Sequence, residues 1–570
     1  MRVVVLGGYG VFGSRIATLL VRDGMEVWIA GRRRSAVDAE VRRLGSLARP
    51  LEVDIDGDLS PIFEPNPQLV IDAVGPFGTY TDRPDPYAVP RACLHHGADY
   101  VDLSDDATYT QGIVALDEEA QRLGRRVLSG ASSVPGLSSI VASTLVEDMS
   151  EVVSIETAIL PGNRAPRGTS VIAGIVSQLG RSIRVWRGGV WRPTPVWGEP
   201  AAIRLAPDLK RVGRMIEVPD LALFPAEFGA RSVTFRAGME IWPLDRGMQI
   251  LAMVRRRFPF AVTTRRAGWL RQLATLLEPF GTDRGGMRVA VVGRKAGGQE
   301  VELSEWCLVA EAGEGPFMPG IVCRTLARRI ANEQKDIAPG ARPCLAEATL
   351  EEIEDALGDL AVKTTRYRRP FPSLFRSAIG SNWHALPAEV RQLHDVHEME
   401  SFSGIARVET GRSFVARIVR TVFGFPNASE SVSVRVKKTR HGLPGAPRER
   451  WERFFGRQRF MSQLRPSQRA GHIRERFGPL EFELRLEAEA SGVNWHVERG
   501  WCFGVPLPGK LLPISHTREH VTSDGFSFDV GLHAPFGLGL IVRYVGWLKP
   551  DEEAAATSAI SELAKQSAES

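Results

Sequence analysis

Glycines stand at residues 8, 10 and 13 of the stretch "VVVLGGYGVFGSRIATLL" (3–20), with Gly7 just ahead of them. Gly8-Tyr9-Gly10-Val11-Phe12-Gly13 is a G-x-G-x-x-G run, and Gly7, Gly10 and Gly13 also fit a G-x-x-G-x-x-G spacing. The run follows an apolar strand pattern and opens an apolar helix pattern. In that context glycines let the backbone approach a pyrophosphate, and the helix N-terminus offers free N–H groups and the positive end of its dipole. The chemistry implied is nucleotide binding.

The end of the next strand selects the nucleotide. A carboxylate there accepts from a ribose 2′-OH, and guanidinium groups there pair with a 2′-phosphate. This chain has "IAGRRRS", with Arg32, Arg33 and Arg34 and no acid. NADP is the expected cofactor. Asp54, after the third strand, is placed to meet the adenine. Val74, Gly75, Pro76 and Phe77 ("VGPF"), after the fourth, are expected near the nicotinamide ribose.

Proton chemistry is less well marked. The Tyr-x-x-x-Lys arrangement, in which lysine lowers a tyrosine pKa, is excluded in the N-terminal part because the first lysine is Lys210. The candidate donors are Tyr80, Asp102, Ser104, Asp105, Asp106, Ser132 and the pair His95–His96. Asp102 and Ser104 fall at the C-terminal end of a parallel strand, where such sheets bind ligands. The histidines fall mid-helix, a packing or surface position. Gly168-Thr169, at a helix start, serves either to hold an anionic or carbonyl group of the substrate or simply to cap the helix.

"HTREH" (516–520) matches H-x-x-E-H, a zinc-hydrolase spacing that needs both histidines on one helical face. Its neighbours "LLPIS" and "SDG" instead suggest a strand, with Glu519 facing away from the histidines. His394 and His397 read as a helix end. No metal site is expected. The Trp, Phe and Arg content of 242–280 permits at most a peripheral membrane contact, with core packing and a solvated basic face as the plainer reading.

These residues need a scaffold of several domains. The chain has 570 residues and is 43% apolar, with a net charge of +5, a mild excess that gives no nucleic-acid footprint. Five scattered cysteines without CxxC spacing argue against disulfides or a zinc ribbon and for a reducing cytoplasm. The N-terminal apolar run reads as a strand rather than a signal peptide. Residues 1–150 alternate strand and helix patterns: "VVVL", "EVWIAG", "LEVDI", "LVIDAVG", "YVDLS" and "RRVLSG" are the expected strands of a Rossmann-type, doubly wound parallel α/β sheet. Residues 151–345 suggest an α+β substrate or dimerisation domain, and 346–372 a helix with a Pro/Arg-rich linker. Residues 373–550 alternate as an antiparallel, β-rich domain with one buried face, suited to a curved sheet gripping an apolar ligand. Residues 551–570 read as a tail.

Four stretches in order, "GGYGVFGSRIA", "VIDAVGPFGTY", "ACLHHGADYVDLSDD" and "SGASSVPGLSS", resemble the NADP-binding domain of saccharopine-dehydrogenase-like oxidoreductases. "GPFMPGIVCRTLARRIA" and "GARPCLAE" extend the likeness to about residue 350. The resemblance implies pyrophosphate binding by Gly8, Gly10, Val11, Phe12 and Gly13. It also implies a nicotinamide border at Gly75, Pro76 and Phe77, with Tyr100, Asp102 and Ser104 on the next strand. The Ser133–Gly136 loop, with Pro135, would face the substrate. Asp105-Asp106 stand where the family often has Gly-Glu. "HALPAEVRQLHD", "WERFFGRQRFMSQL" and "FDVGLHAPFGLGLIVRYVGWL" resemble a domain of unknown function fused behind such halves. Two functions follow. One is an NADP-dependent oxidoreductase acting on C=N, C=O or activated C=C of a small-molecule substrate. The other is a non-catalytic NADP(H) sensor or scaffold whose C-terminal domain binds a lipid or protein. A homodimer is compatible with either.

Overall fold

Along β1 (Arg2–Leu6) successive side chains enter different cores. Val3 and Val5 pack with Ile16, Leu19 and Leu20 of α1 (Val11–Arg22), whereas Val4 and Leu6 pack with Val89, Cys93 and Leu94 of the helix Ala88–His95. A strand covered on both faces needs apolar residues at every position, so it reads as an unbroken run. The same holds for β2 (Glu26–Gly31), β4 (Leu69–Asp72) and β5 (Asp99–Asp102); β6 (Arg126–Ser129) falls where expected, and β3 (Ala48–Glu52) lies three residues ahead of the expected "LEVDI", with mixed burial. The order is β3-β2-β1-β4-β5-β6, all parallel. This is the Rossmann-type doubly wound sheet, in a computed structural model that describes residues 1–166, 169–258, 277–298, 300–332, 337–441, 446–523 and 525–551.

A seventh strand, Gly340–Pro343, pairs in parallel with β6. Its sequence, "GARP", carries no apolar run, and it is held by Ala341 N–H donating to Asp117 Oδ1 at 2.9 Å.

The second sheet is mixed. Its central strand, Met149–Leu160, pairs antiparallel with Gly285–Lys295 and parallel with Val233–Gly238. Helix Ser138–Val146 contributes Ile140, Val141 and Ala142 to one core that holds both Val3 and Val5 of the first sheet and Val289 and Val291 of the second. That shared core makes Met1–Trp186, Trp191–Gly297 and Leu303–Arg368 one compact unit. The expected boundary near 150 separates sheets but not cores. Residues 346–372 are not a linker. Leu350–Ala356 is a helix started by a Thr349–Glu352 capping box, and Val362–Pro370 is the exposed edge strand of the second sheet. Its Pro and Arg content suits an edge, where a missing N–H costs no ladder bond.

The other unit holds Arg369 onward, with two short earlier segments. Its antiparallel strands run from Met399–Thr410 to Leu540–Pro550, and Leu480–Glu489 pairs with both His472–Phe477 and Gly492–Cys502. That double pairing closes a barrel of ten strands, which removes the free edges an open sheet would expose. The alternation in the sequence is therefore inside versus outside of a barrel. The interior is not an empty grip for an apolar ligand. Phe375, from the helix Leu374–Ile379, packs on Trp451 and Trp495, which lie on strands that are not neighbours. His394, the last residue of Ala388–His394, does the same.

No helix among the described residues is long and apolar enough to cross a membrane.

Candidate functional site

The C-terminal ends of β1, β4, β5 and β6 bring most of the sequence-derived residues together. Gly7 adopts φ +69°, a conformation that side chains rarely take. A Cβ on Gly8 would lie 2.9 Å from the Val5 carbonyl oxygen, and one on Gly13 would lie 2.2 Å from that of Gly7. The turn is folded so tightly that only hydrogen fits. Gly10 caps α1 without any side-chain acceptor, and the first turn holds no acid. The N–H groups at Val11 and Phe12 are left facing the space above the turn, as an anion requires.

Beside this turn β2 ends in Arg32, Arg33 and Arg34, all exposed. Arg34 pairs with Asp38 at 2.9 Å, and the Arg33 guanidinium lies 5.1 Å from the centre of the Tyr9 ring. No carboxylate occupies the position at which a ribose 2′-OH would be read. Asp54 is exposed and accepts from the Asp56 N–H at 3.2 Å. The glycine cradle, open helix end and exposed arginines together fit NADP.

After β4, Val74 N–H donates to Asp72 Oδ1 at 2.9 Å, and Gly75 turns at φ +46° into Pro76 and Phe77. Phe77 is buried against Tyr80 and Tyr109, with ring centres 5.0 and 5.4 Å away. Asp72 also faces the hydroxyls of Tyr80 and Tyr100, each donating at 3.4 Å. Burial pushes its carboxyl up to about 6, partly offset by the Val74 N–H and the charge of Arg83. Asp72 and Tyr109 were not among the candidates; the one sequence signal for Asp72 is "VIDAVG", an acid closing an apolar strand.

Three of the candidate proton donors, Asp102, Ser104 and Tyr80, lie underneath this surface rather than on it. Asp102 is fully buried: its Oδ1 accepts from Ser104 N–H, Gly130 N–H and the Ser129 hydroxyl at 2.9, 2.8 and 3.0 Å. Its Oδ2 has no hydrogen-bond partner, and burial raises the carboxyl to about 7. Ser104 is equally buried and accepts from Thr110 Oγ1 at 2.9 Å. Tyr80 is buried too, its pKa driven upward by desolvation and then by the charge of Asp72. These side chains fasten β5 to β6 and to the turn after β4. Ser133 and Pro135 lie buried in the loop after β6, where the left-handed Gly130 abuts the Pro135 ring. His95 pairs with Glu119 at 3.0 Å and His96 stacks on Phe63, both on the outer helix away from the turn.

Asp106 is placed differently. It is partly exposed and caps the helix Ala107–Gly112 through Tyr109 N–H at 2.9 Å, and its Oδ2 sits 3.0 Å from where a Cβ on Gly78 would be. That puts a carboxylate beside the Gly75–Phe77 turn. Glu217, from the second sheet's side, has its carboxyl raised by partial burial and by the charge of Asp106. Thr169 begins the helix Thr169–Gln178, while Gly168 and residues 259–276 of the 242–280 surface lie outside the described residues. "HTREH" lies in the strand Ile514–Thr522, with Glu519 inward and His516 outward.

Two family descriptions match the chain: saccharopine dehydrogenase NADP binding domain at residues 3–128, and domain of unknown function DUF4166 at 386–548. Among solved structures, the chain is similar to apo saccharopine dehydrogenase (L-Glu forming) from Saccharomyces cerevisiae. Identity is 14%, covering 64% of this chain and 99% of that one, with a TM-score of 0.48. It is also similar to GenD2 from gentamicin A biosynthesis in complex with NAD, at 13% identity, 64% and 96% coverage and a TM-score of 0.31. The search of curated proteins finds no match.

Proposed function

Starting from a chain that carries a saccharopine-dehydrogenase-type NADP-binding domain fused to a domain of unknown function, we propose that it is an NADP-dependent oxidoreductase. It would act on a C=N, C=O or activated C=C bond of a small molecule. The observation that carries this reading is the tight glycine cradle from Gly7 to Gly13 beside the exposed Arg32 and Arg33, with no acid at the end of β2.

The bound cofactor supplies or accepts the hydride. The chain's own residues do the rest. Backbone N–H groups at the start of α1 hold the pyrophosphate, and Arg32 and Arg33 hold the 2′-phosphate. Gly75, Pro76 and Phe77 would form a floor at the nicotinamide end of the site. Asp102, Ser104 and Tyr80 keep that floor and the Ser133–Pro135 loop in place as positioning residues. Asp106, partly exposed and beside Gly78, exchanges the proton that accompanies hydride transfer. An acidic lining of Asp106 and Glu217 favours substrates that are cationic or become so, and therefore C=N over C=O. NADPH oxidation assayed against panels of imines, ketones and enoyl thioesters tests the reading, and turnover is expected with imines first.

The burial of Asp102, Ser104 and Tyr80 favours a second reading, an NADP(H)-binding module without turnover. Tight NADPH binding with no turnover across the whole panel would establish it instead.

A further inference from the structure

The register of the barrel places the ends of its strands at two rims. Thr410 lies opposite Val542, Val408 opposite Ser429, Phe455 opposite Gln458, Phe477 opposite Leu480, and Ile514 opposite His533. The connections 411–428, 456–457, 478–479, 503–513 and 534–539 therefore all leave the same rim. Their composition is one-sided. They carry Arg412, Arg417, Arg420, Arg457 and Lys510, and no aspartate or glutamate.

The same connections expose large apolar side chains. Phe503 is 81% exposed and Phe414 is 71% exposed, and Phe536, Leu538, Ile418 and Val422 are exposed with them. Phe414, Ile418 and Val422 fall at i, i+4 and i+8 of the helix Phe414–Phe423, so they form one outward stripe, while Ala416 and Phe425 anchor the segment to the barrel core. Phe503 and Phe536 hold φ of +50° and +59°, a left-handed conformation that bulky residues seldom adopt. Both rings are held outward at the tips of their loops. Exposed apolar tips on five connections that together carry five cations and no carboxylate are not an ordinary solvated surface.

We propose that this rim docks peripherally on an anionic phospholipid bilayer. The aromatic and aliphatic tips enter the headgroup boundary, and Arg412, Arg417, Arg457 and Lys510 meet the lipid phosphates. Apolar insertion and charge attraction act together in such sites. Charge selects the partner, because five cations without a compensating carboxylate would repel the same rim on a second copy.

The test uses the full chain with sedimentable vesicles of phosphatidylcholine alone or mixed with phosphatidylglycerol. Binding is expected to the mixed vesicles, weaker binding to the neutral ones, and loss of the difference at high salt. Phe503→Ser with Phe536→Ser should lower partitioning at least about tenfold. Arg417→Glu with Lys510→Glu should lower it by a similar factor on anionic vesicles only. All four positions are exposed, and unchanged melting curves will show that the variants fold. As a separate readout, Phe503→Trp fluorescence should be quenched by brominated lipid. Three outcomes overturn the proposal: no binding to mixed vesicles, variants that bind like the parent, or a dimer that the phenylalanine variants dissolve. The last would make the rim an interface between copies.

Discussion

The Arg33 guanidinium stands 5.1 Å over the Tyr9 ring, directly beside the glycine turn. Tyr9 in turn presses on Gly31, where a Cβ would lie 2.3 Å from its Cε1 atom. The last residue of β2 and the first turn of the cradle are thus locked together, and Arg33 is held beside the glycine turn, where the proposed function puts the 2′-phosphate. NADPH should bind well over tenfold more tightly than NADH. Arg32→Ala and Arg33→Ala should each cost roughly 1–2 kcal/mol of NADPH affinity, and leave NADH affinity nearly unchanged. Fluorescence titration of both nucleotides checks this, and equal affinities in the parent chain would refute the assignment.

Gly13→Ala places a methyl group 2.2 Å from the Gly7 carbonyl oxygen. Neither atom belongs to a flexible side chain, so the turn must open. The variant is expected to lose measurable NADPH binding and about 1–3 kcal/mol of stability. Gly10→Ala is a milder control, because its nearest contact is 3.0 Å. Calorimetry of binding and thermal melting of both variants separate the two effects.

What was legible in the sequence was whatever one strand and the following turn encode by themselves. Strands such as β1 and β4 announced themselves because burial on both faces demands continuous apolar runs, and the cradle because only glycine fits its spacing; β3, with mixed burial, was legible only approximately. The strand Gly340–Pro343 was invisible, since its place depends on a neighbour two hundred residues away and not on its own side chains. Closure of the barrel was hidden for the same reason: alternation reports an inner face but not whether Leu480–Glu489 finds a second partner. Asp102 and Ser104 were correctly placed at a strand end, yet sequence could not show that their side chains point under the site, with Asp106 on top.

Asp106→Asn should leave NADPH affinity within about twofold, because the residue sits beside Gly78 and is not part of the Gly7–Gly13 turn or the Arg32–Arg34 segment proposed to hold the phosphates. Turnover on any substrate the panel identifies should fall by roughly 10²-fold or more, the usual contribution of a positioned acid or base. The asparagine Oδ1 can still accept from Tyr109 N–H, which preserves the cap. A rate that stays at the parent value would remove Asp106 from the proton path and leave Glu217 as the remaining acid there.

Inside the barrel, His394 Nε2 lies 2.7 Å from Glu519 Oε2, which also accepts from Trp495 Nε1 at 3.1 Å. Burial, reinforced by the nearby Lys438 charge, lowers His394 to about 4. The unfolded chain takes up this proton below about 6.5, while the folded barrel resists it until about 4. Stability contributed by this residue is therefore complete above pH 6.5 and is lost progressively as pH falls through that window. Melting followed by tryptophan fluorescence should show the loss, and His394→Gln should flatten the slope between pH 6.5 and 4.

Asp102 titrates in the opposite sense. Its carboxyl is raised to about 7 by burial, with the neighbouring Asp72 charge adding to the effect. The folded state thus holds a proton that the unfolded chain has released above about pH 4, so stability falls as pH rises from 4 to 7 and then levels off. Asp102→Asn keeps an oxygen for the Ser104, Ser129 and Gly130 donors and replaces the unpartnered Oδ2 by a neutral amide. The variant should match the parent near pH 5 and exceed it above pH 7, by about 1–3 kcal/mol. Denaturant melts at both pH values decide the matter. A variant less stable than the parent at pH 8 would mean that the ionised carboxylate is what holds β5 to the loop after β6.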